Sequence, residues 1–168
     1  MQPLNYFSFT GASCRTVANE GQYVGQVDGP CGICESTTTP GWLVVCDQGN
    51  GRIQEIPLDG RSGAPHCRVM VQFTDGTYPH GITSCGDGTT DYIITDSAYG
   101  QQNRVLRISG VDGHPIWTAG STRGSGPHQF YFPSDVKMLL DGRVVVADTI
   151  NHRLQVLDAA TGTFLQQL

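Results

Sequence analysis

The sequence contains a single lysine, Lys137, and ten Lys and Arg together face fifteen Asp and Glu, for a formal charge of -5. The two signs are interspersed. A nucleic-acid binder presents a basic patch that neutralises phosphates, so RNA is disfavoured as a partner. No apolar run approaches the roughly 18 residues of a membrane-spanning helix, and no membrane partner is expected. Met1–Thr10 lack a basic stretch followed by a long apolar one, so no secretory signal is expected in the chain as it stands. An N-x-S/T sequon is also missing.

Catalytic signatures are equally scarce. There is no G-x-S-x-G and no H-E-x-x-H. The Gly-rich stretch Gly120–Gly126 lacks the G-K-S/T ending of a phosphate-cradling loop and reads as a connection. Asp87 and Asp91 fall in a Gly-Thr turn, where Asp forms turns before it catalyses. No catalytic residue is assigned, and the expectation is a chain without chemistry of its own.

The six cysteines, Cys14, Cys31, Cys34, Cys46, Cys67 and Cys85, lie in the first half at irregular spacing. Cys31-Gly32-Ile33-Cys34 is a C-x-x-C, but a zinc site needs a second ligand pair, and none follows. A redox pair needs a helix N-terminus, and this stretch reads as strand. Buried, reduced cysteines acting as small apolar side chains are expected, with a cytoplasmic or otherwise intracellular location as the mild inference.

What the sequence has in abundance is glycine, 22 residues, between short apolar runs. Leu43–Cys46, Tyr92–Thr95 and Val144–Ala147 are apolar without polar alternation, as in strands buried on both faces. Each run follows a Pro-x-x-Ile/Val opening at Pro30, Pro79 or Pro133, and each precedes Asp and then Asn and Arg. The sets are Asp47, Asn50, Arg52; Asp96, Asn103, Arg104; and Asp148, Asn151, Arg153. The aspartates stand about fifty residues apart, the period of a repeat architecture. Each unit reads as four short antiparallel strands, with the Asp-Asn-Arg segment in the hairpin between the second and third. There Asn suits a left-handed turn position and Arg returns to the carboxylate, so these residues are read as scaffolding. The middle hairpin is longer, with Ser97–Gln102 between Asp96 and Asn103.

The segment F-Y-F-P-S-D-V through D-G-R-V-V-V-A-D-T-I-N-H-R-L-Q-V-L-D, Phe130–Asp158, resembles the NHL repeat, and the two earlier units resemble diverged copies of it. The resemblance implies an all-β chain, a β-propeller or partial propeller arc of four-stranded antiparallel blades. The blades divide as 29–77, 78–131 and 132–168, and 1–28 are read as a partial blade. There, Arg15–Ala18 and Gln22–Val27 correspond to third and fourth strands, and Tyr6–Thr10 supplies one more. Too few blades for the usual ring leave three readings: part of a longer propeller, two chains that self-associate to complete one ring, or a small four-bladed ring.

Family members include protein-binding and RNA-binding modules, scaffolds and a peptide-amidating lyase. A protein-binding or scaffolding role is therefore the leading expectation, with a metal-dependent channel enzyme and an RNA-binding module as alternatives. The residues after the opening prolines, Cys31, His80 and Ser134, are placed near the central channel. Similarity to the lyase makes Cys31 and His80 candidate zinc ligands, with no other cofactor expected. Loop candidates for binding are Tyr99, Arg104, Arg123, His128 and Tyr131. His66, His114, His128 and His152 lie in turns, where a solvated imidazole is expected, and Phe130 and Phe132 are read as packing residues.

Overall fold

The apolar runs pair because neither of their faces can be left to water. In the computed structural model, which describes residues 17–59, 66–98 and 102–168, a small pair comes first, β1 (Asn19–Glu20) with β2 (Gln26–Val27). Three sheets follow. The first contains β3 (Pro30–Glu35), β4 (Trp42–Asp47), β5 (Arg52–Pro57) and β6 (Arg68–Gln72). The second contains β7 (Pro79–Ser84), β8 (Tyr92–Ser97), β9 (Asn103–Ile108) and β10 (Pro115–Ala119). The third contains β11 (Pro133–Met138), β12 (Arg143–Asp148), β13 (Arg153–Asp158) and β14 (Phe164–Gln167). Within each sheet the strands lie in sequence order and antiparallel, the meander of a propeller blade.

First strands converge: β7 packs against both β3 and β11. Each first strand opens on its proline, paired with the aspartate at the last or next-to-last position of the second strand: Pro30 with Asp47, Pro79 with Asp96, Pro133 with Asp148. At the start of a strand the missing N–H of proline costs no ladder bond. A register shift follows each proline and bends the strand toward its neighbour. Two glycines make the approach close. A Cβ on Gly32 would lie 2.4 Å from the His80 carbonyl oxygen, and one on Gly81 would lie 2.7 Å from the Cα of Asp135.

The core lies between the sheets. Val44, Cys46 and Ile53 of blade 1 pack with Ile82, Tyr92, Ile94, Leu106 and Ile108 of blade 2. Cys85, Ile93 and Val105 of blade 2 pack with Phe130 of the following connection and with Val136, Val144, Val146 and Leu157 of blade 3. Truncating one such buried side chain to Ala costs about 2–5 kcal/mol. Cys46, Cys67 and Cys85 are buried, and Cys31, Cys34, Cys46 and Cys85 are free thiols.

Residues 17–28 depart from the blade tail expected of them. Asn19 and Glu20 pair in parallel with Gln26 and Val27, whereas the third and fourth strands of a blade run antiparallel. Arg15 and Tyr6–Thr10 lie outside the described residues. The parallel pair has its counterpart in the bridge between Arg123 and Phe130, which belongs to the connection between blades 2 and 3. Residues 17–29 are therefore an inter-blade connection docked on blade 1, with Ala18, Val24 and Val27 against Val45, Ile56 and Cys67.

Candidate functional site

The hairpins between second and third strands bring the Asp, Asn and Arg residues to one end of the blades. In blade 1, Arg52 Nε donates to Asp47 Oδ2 at 2.6 Å, Asn50 Nδ2 donates to the same carboxylate, and Gln54 Nε2 adds a bond at 3.0 Å. The set reaches across to the incoming connection. Arg52 donates to the carbonyls of Gln22, Tyr23 and Gln26, Asn50 to that of Gly21, and Asp47 accepts from Asp28 N. Blade 3 repeats this at its own connection. Arg153 donates to Ser125, Gly126 and Gln129 carbonyls, Asn151 to Gly124, and Asp148 accepts from Arg153 and from Tyr131 N. Each buried carboxylate is thus occupied by charge-assisted donors, and the hairpin clips the preceding linker to the blade.

The middle hairpin is built differently. Arg104 Nε donates to Asp96 Oδ2 at 2.9 Å, but its Nη2 reaches the side chains of Asp75 and Thr77, both at 2.8 Å. Burial pushes the Asp96 carboxyl up despite the bonds it accepts. For Asp75, burial acts upward too, but the bonds from Thr77 and Arg104 outweigh it and hold the group down at about 2. Asn103 turns the other way, accepting Phe132 N at 2.6 Å. It ties the middle hairpin to the connection before blade 3.

Of the loop candidates, Arg123 stacks over the Tyr131 ring at 4.8 Å, and Arg104 belongs to the ion pairs just described. His128 occupies a left-handed position (φ 62°), the place held by Gly25 (φ 84°) in the first connection. Its Nε2 accepts the Phe164 amide, and its ring meets Phe164 edge-on. His128 therefore latches the linker to β14. Tyr99 lies outside the described residues. Sequence reasoning passed over Tyr78 and Ile150, each 45% exposed at this end of the blades, beside the aspartate hairpins. Tyr78 matches Tyr131 only in its bond, each backbone N–H donating to the hairpin aspartate, Asp96 or Asp148, although Tyr131 stands one residue further from its proline.

Cys31, His80 and Ser134 come together on one open cleft of ≈ 410 Å³, with Gly32, Ile33, Gly81 and Asp135. His80 Nδ1 donates to the Ser134 carbonyl at 2.7 Å, so Nδ1 carries a proton. The His80 ring stands edge-on to Phe132 at 5.5 Å. Burial pushes the Cys31 thiol up and Cys34 to about 12 against the opposing charge of Lys137. These shifts disfavour the thiolate that a metal ligand or nucleophile requires. Among the described residues no three His, Cys, Asp or Glu side chains gather as a metal-holding group.

Comparison with known proteins relates one blade to a repeat family and the whole arc to a fold. Residues 130–157 match the NHL repeat. NHL repeat-containing protein 3 of Mus musculus is 40% identical over 79 residues, 47% of this chain and 22% of that protein. The Homo sapiens protein of the same name is 39% identical over the same extent. The chain matches only 22% of the length of these curated relatives. Among solved structures, a chain of the nidogen/laminin complex aligns with a TM-score of 0.66 at 17% identity, over 95% of this chain and 53% of that one. A protein of unknown function from Bacteroides caccae aligns at 0.57 and 13%, over 81% and 47%. At such identities the likeness is one of fold. Residues 130–157 match the NHL repeat, the two sheets before them follow the same four-stranded plan, and the described residues form an arc of β-propeller blades.

Proposed function

We propose that the arc is a protein-binding module that contacts its partner at the end of the blades where the hairpins and inter-blade connections gather. The observation that carries this reading is the bond from Phe132 N to Asn103, which joins the lengthened middle hairpin to the connection bearing Arg123 and Tyr131. Ile150 N in turn donates to the Tyr131 carbonyl. Tyr78, Asn103 and Arg104 of the middle hairpin, the Arg123–Tyr131 stack and Ile150 thereby form one rim on a rigid scaffold, the setting in which loops carry binding. Its aromatic and arginine content suits the centre of a protein interface. The same fold occurs in a chain of the nidogen/laminin complex, an assembly of proteins.

The rim is tested by affinity capture followed by titration of the captured protein against wild type and a double variant, Arg123→Glu with Tyr131→Ala. The double variant is expected to bind at least about tenfold more weakly, the loss typical of interface anchors. Unchanged affinity sinks the reading.

A further inference from the structure

Each blade turns one face to the blade before it and one to the blade after it, and these faces can be compared position by position. On the face toward the following blade, Val44, Cys46 and Ile53 of blade 1 and Ile93, Thr95 and Val105 of blade 2 are all 0% exposed. The strand registers put Val145, Ala147 and Leu154 at the same positions in blade 3. There Val145 and Ala147 are only half-buried and Leu154 is 42% exposed. Among the described residues, no following blade covers this face.

The other end of the arc shows the complementary half. Residues 17–29 are clipped to blade 1 by the bonds that hold 120–132 to blade 3. Between blades 2 and 3 such a connection is enclosed on both sides, and Phe130 is 0% exposed. Its counterpart Val27 is half-buried, and Ile33 on the adjoining first strand is 53% exposed. The two ends are therefore two halves of one kind of junction.

Charge completes the match. Where blades 2 and 3 meet, Met138 N lies 3.4 Å from Thr83 Oγ1. Counted from the opening prolines, Lys137 of blade 3 stands in the place of Thr83, and Glu35 of blade 1 in the place of Met138. Both are exposed. A junction of the same kind brings the only lysine of the chain opposite a carboxylate.

We propose that the open face of blade 3 docks on blade 1 and residues 17–29 of a second copy of this chain, head to tail, so that two copies close one ring. A head-to-tail contact forms a ring when its rotation closes. Asp135 stands where the internal junctions have Gly32 and Gly81, so in this proposal the junction between copies lacks their close backbone approach and rests on Val145, Ala147, Leu154 and the Lys137–Glu35 pair.

Light scattering on the full 168-residue chain across a concentration series tests this. The expected species has twice the 18.1 kDa mass of one chain. Leu154→Glu should raise the dissociation constant at least about tenfold, as for a truncated anchor, with circular dichroism reporting retained fold. Lys137→Glu and Glu35→Lys should each weaken the dimer and the pair together restore it, a readout that stands even if Leu154→Glu fails to fold. A monomer at every concentration overturns the proposal and assigns the face to a further blade of a longer chain. It is overturned equally by a polydisperse aggregate, or by a dimer indifferent to the charge swap.

Discussion

The first and third hairpins and the middle one start from the same three residue types and end in different networks. In blades 1 and 3, Asp, Asn and Arg close on one another, and Arg spends its remaining donors on backbone carbonyls of the incoming linker. In blade 2, Arg104 turns to side chains and Asn103 leaves the set to hold the next linker. The Asp–Arg pair is thus the common minimum of the clip. The Asn is free to serve whichever neighbour the hairpin length brings within reach.

Breaking the pair should have the largest effect where Arg has no second carboxylate. Asp148→Ala leaves Arg153 nearly buried without a counter-charge, and urea denaturation should show a loss of about 3–5 kcal/mol. Asp96→Ala should cost less, because Arg104 keeps Asp75; an equal or larger loss in blade 2 would remove the distinction. Asn103→Ala strips the acceptor from Phe132 N and should cost about 1–3 kcal/mol, with faster hydrogen exchange at the Phe132 amide. Asn50→Ala and Asn151→Ala should leave that amide unchanged.

Acid should act on the middle clip through Asp75. Its folded-state pKa is depressed from 3.8 to about 2, so the stabilisation is present above 3.8 and is lost as pH falls toward 2. Asp75→Asn should flatten that part of the stability profile; a profile as steep as wild type would place the titration elsewhere. The smallest change is expected from Gln155→Leu, which gives the third hairpin the residue type of Leu106. The change removes the Gln155 Nε2 bonds to the Gln129 carbonyl and Asp148, but Arg153 still donates to both acceptors and the buried Gln155 Oε1 has no partner to lose, so a stability loss of about 1 kcal/mol is expected.

The blade plan was legible because it rests on local signals that repeat: a proline that can only open a strand, an apolar run too uniform for a half-exposed sheet, and a turn-forming Asp-Asn-Arg segment. Residues 17–28 were misread because Gln22–Val27 has a composition as suitable for a strand as for a linker. Only the bonds from Arg52, Asn50 and Gln54 decide between them. The role of His128 was hidden for a similar reason. An imidazole in a Gly-Pro loop reads as solvated until Phe164, far along the sequence, presents its amide. Tyr78 and Ile150 went unnoticed because exposure is a property of the packed blades.

The sequence by itself determined the strands, their order within each blade and the hairpins, since these depend on side-chain periodicity and turn geometry within about fifty residues. Tertiary structure alone decided which linker each arginine holds and that His80 bonds to the Ser134 carbonyl of the next blade. Those outcomes depend on how one blade sits against the next. That is fixed by the close approach at Gly32 and Gly81 and by apolar faces whose matching partners lie in another repeat.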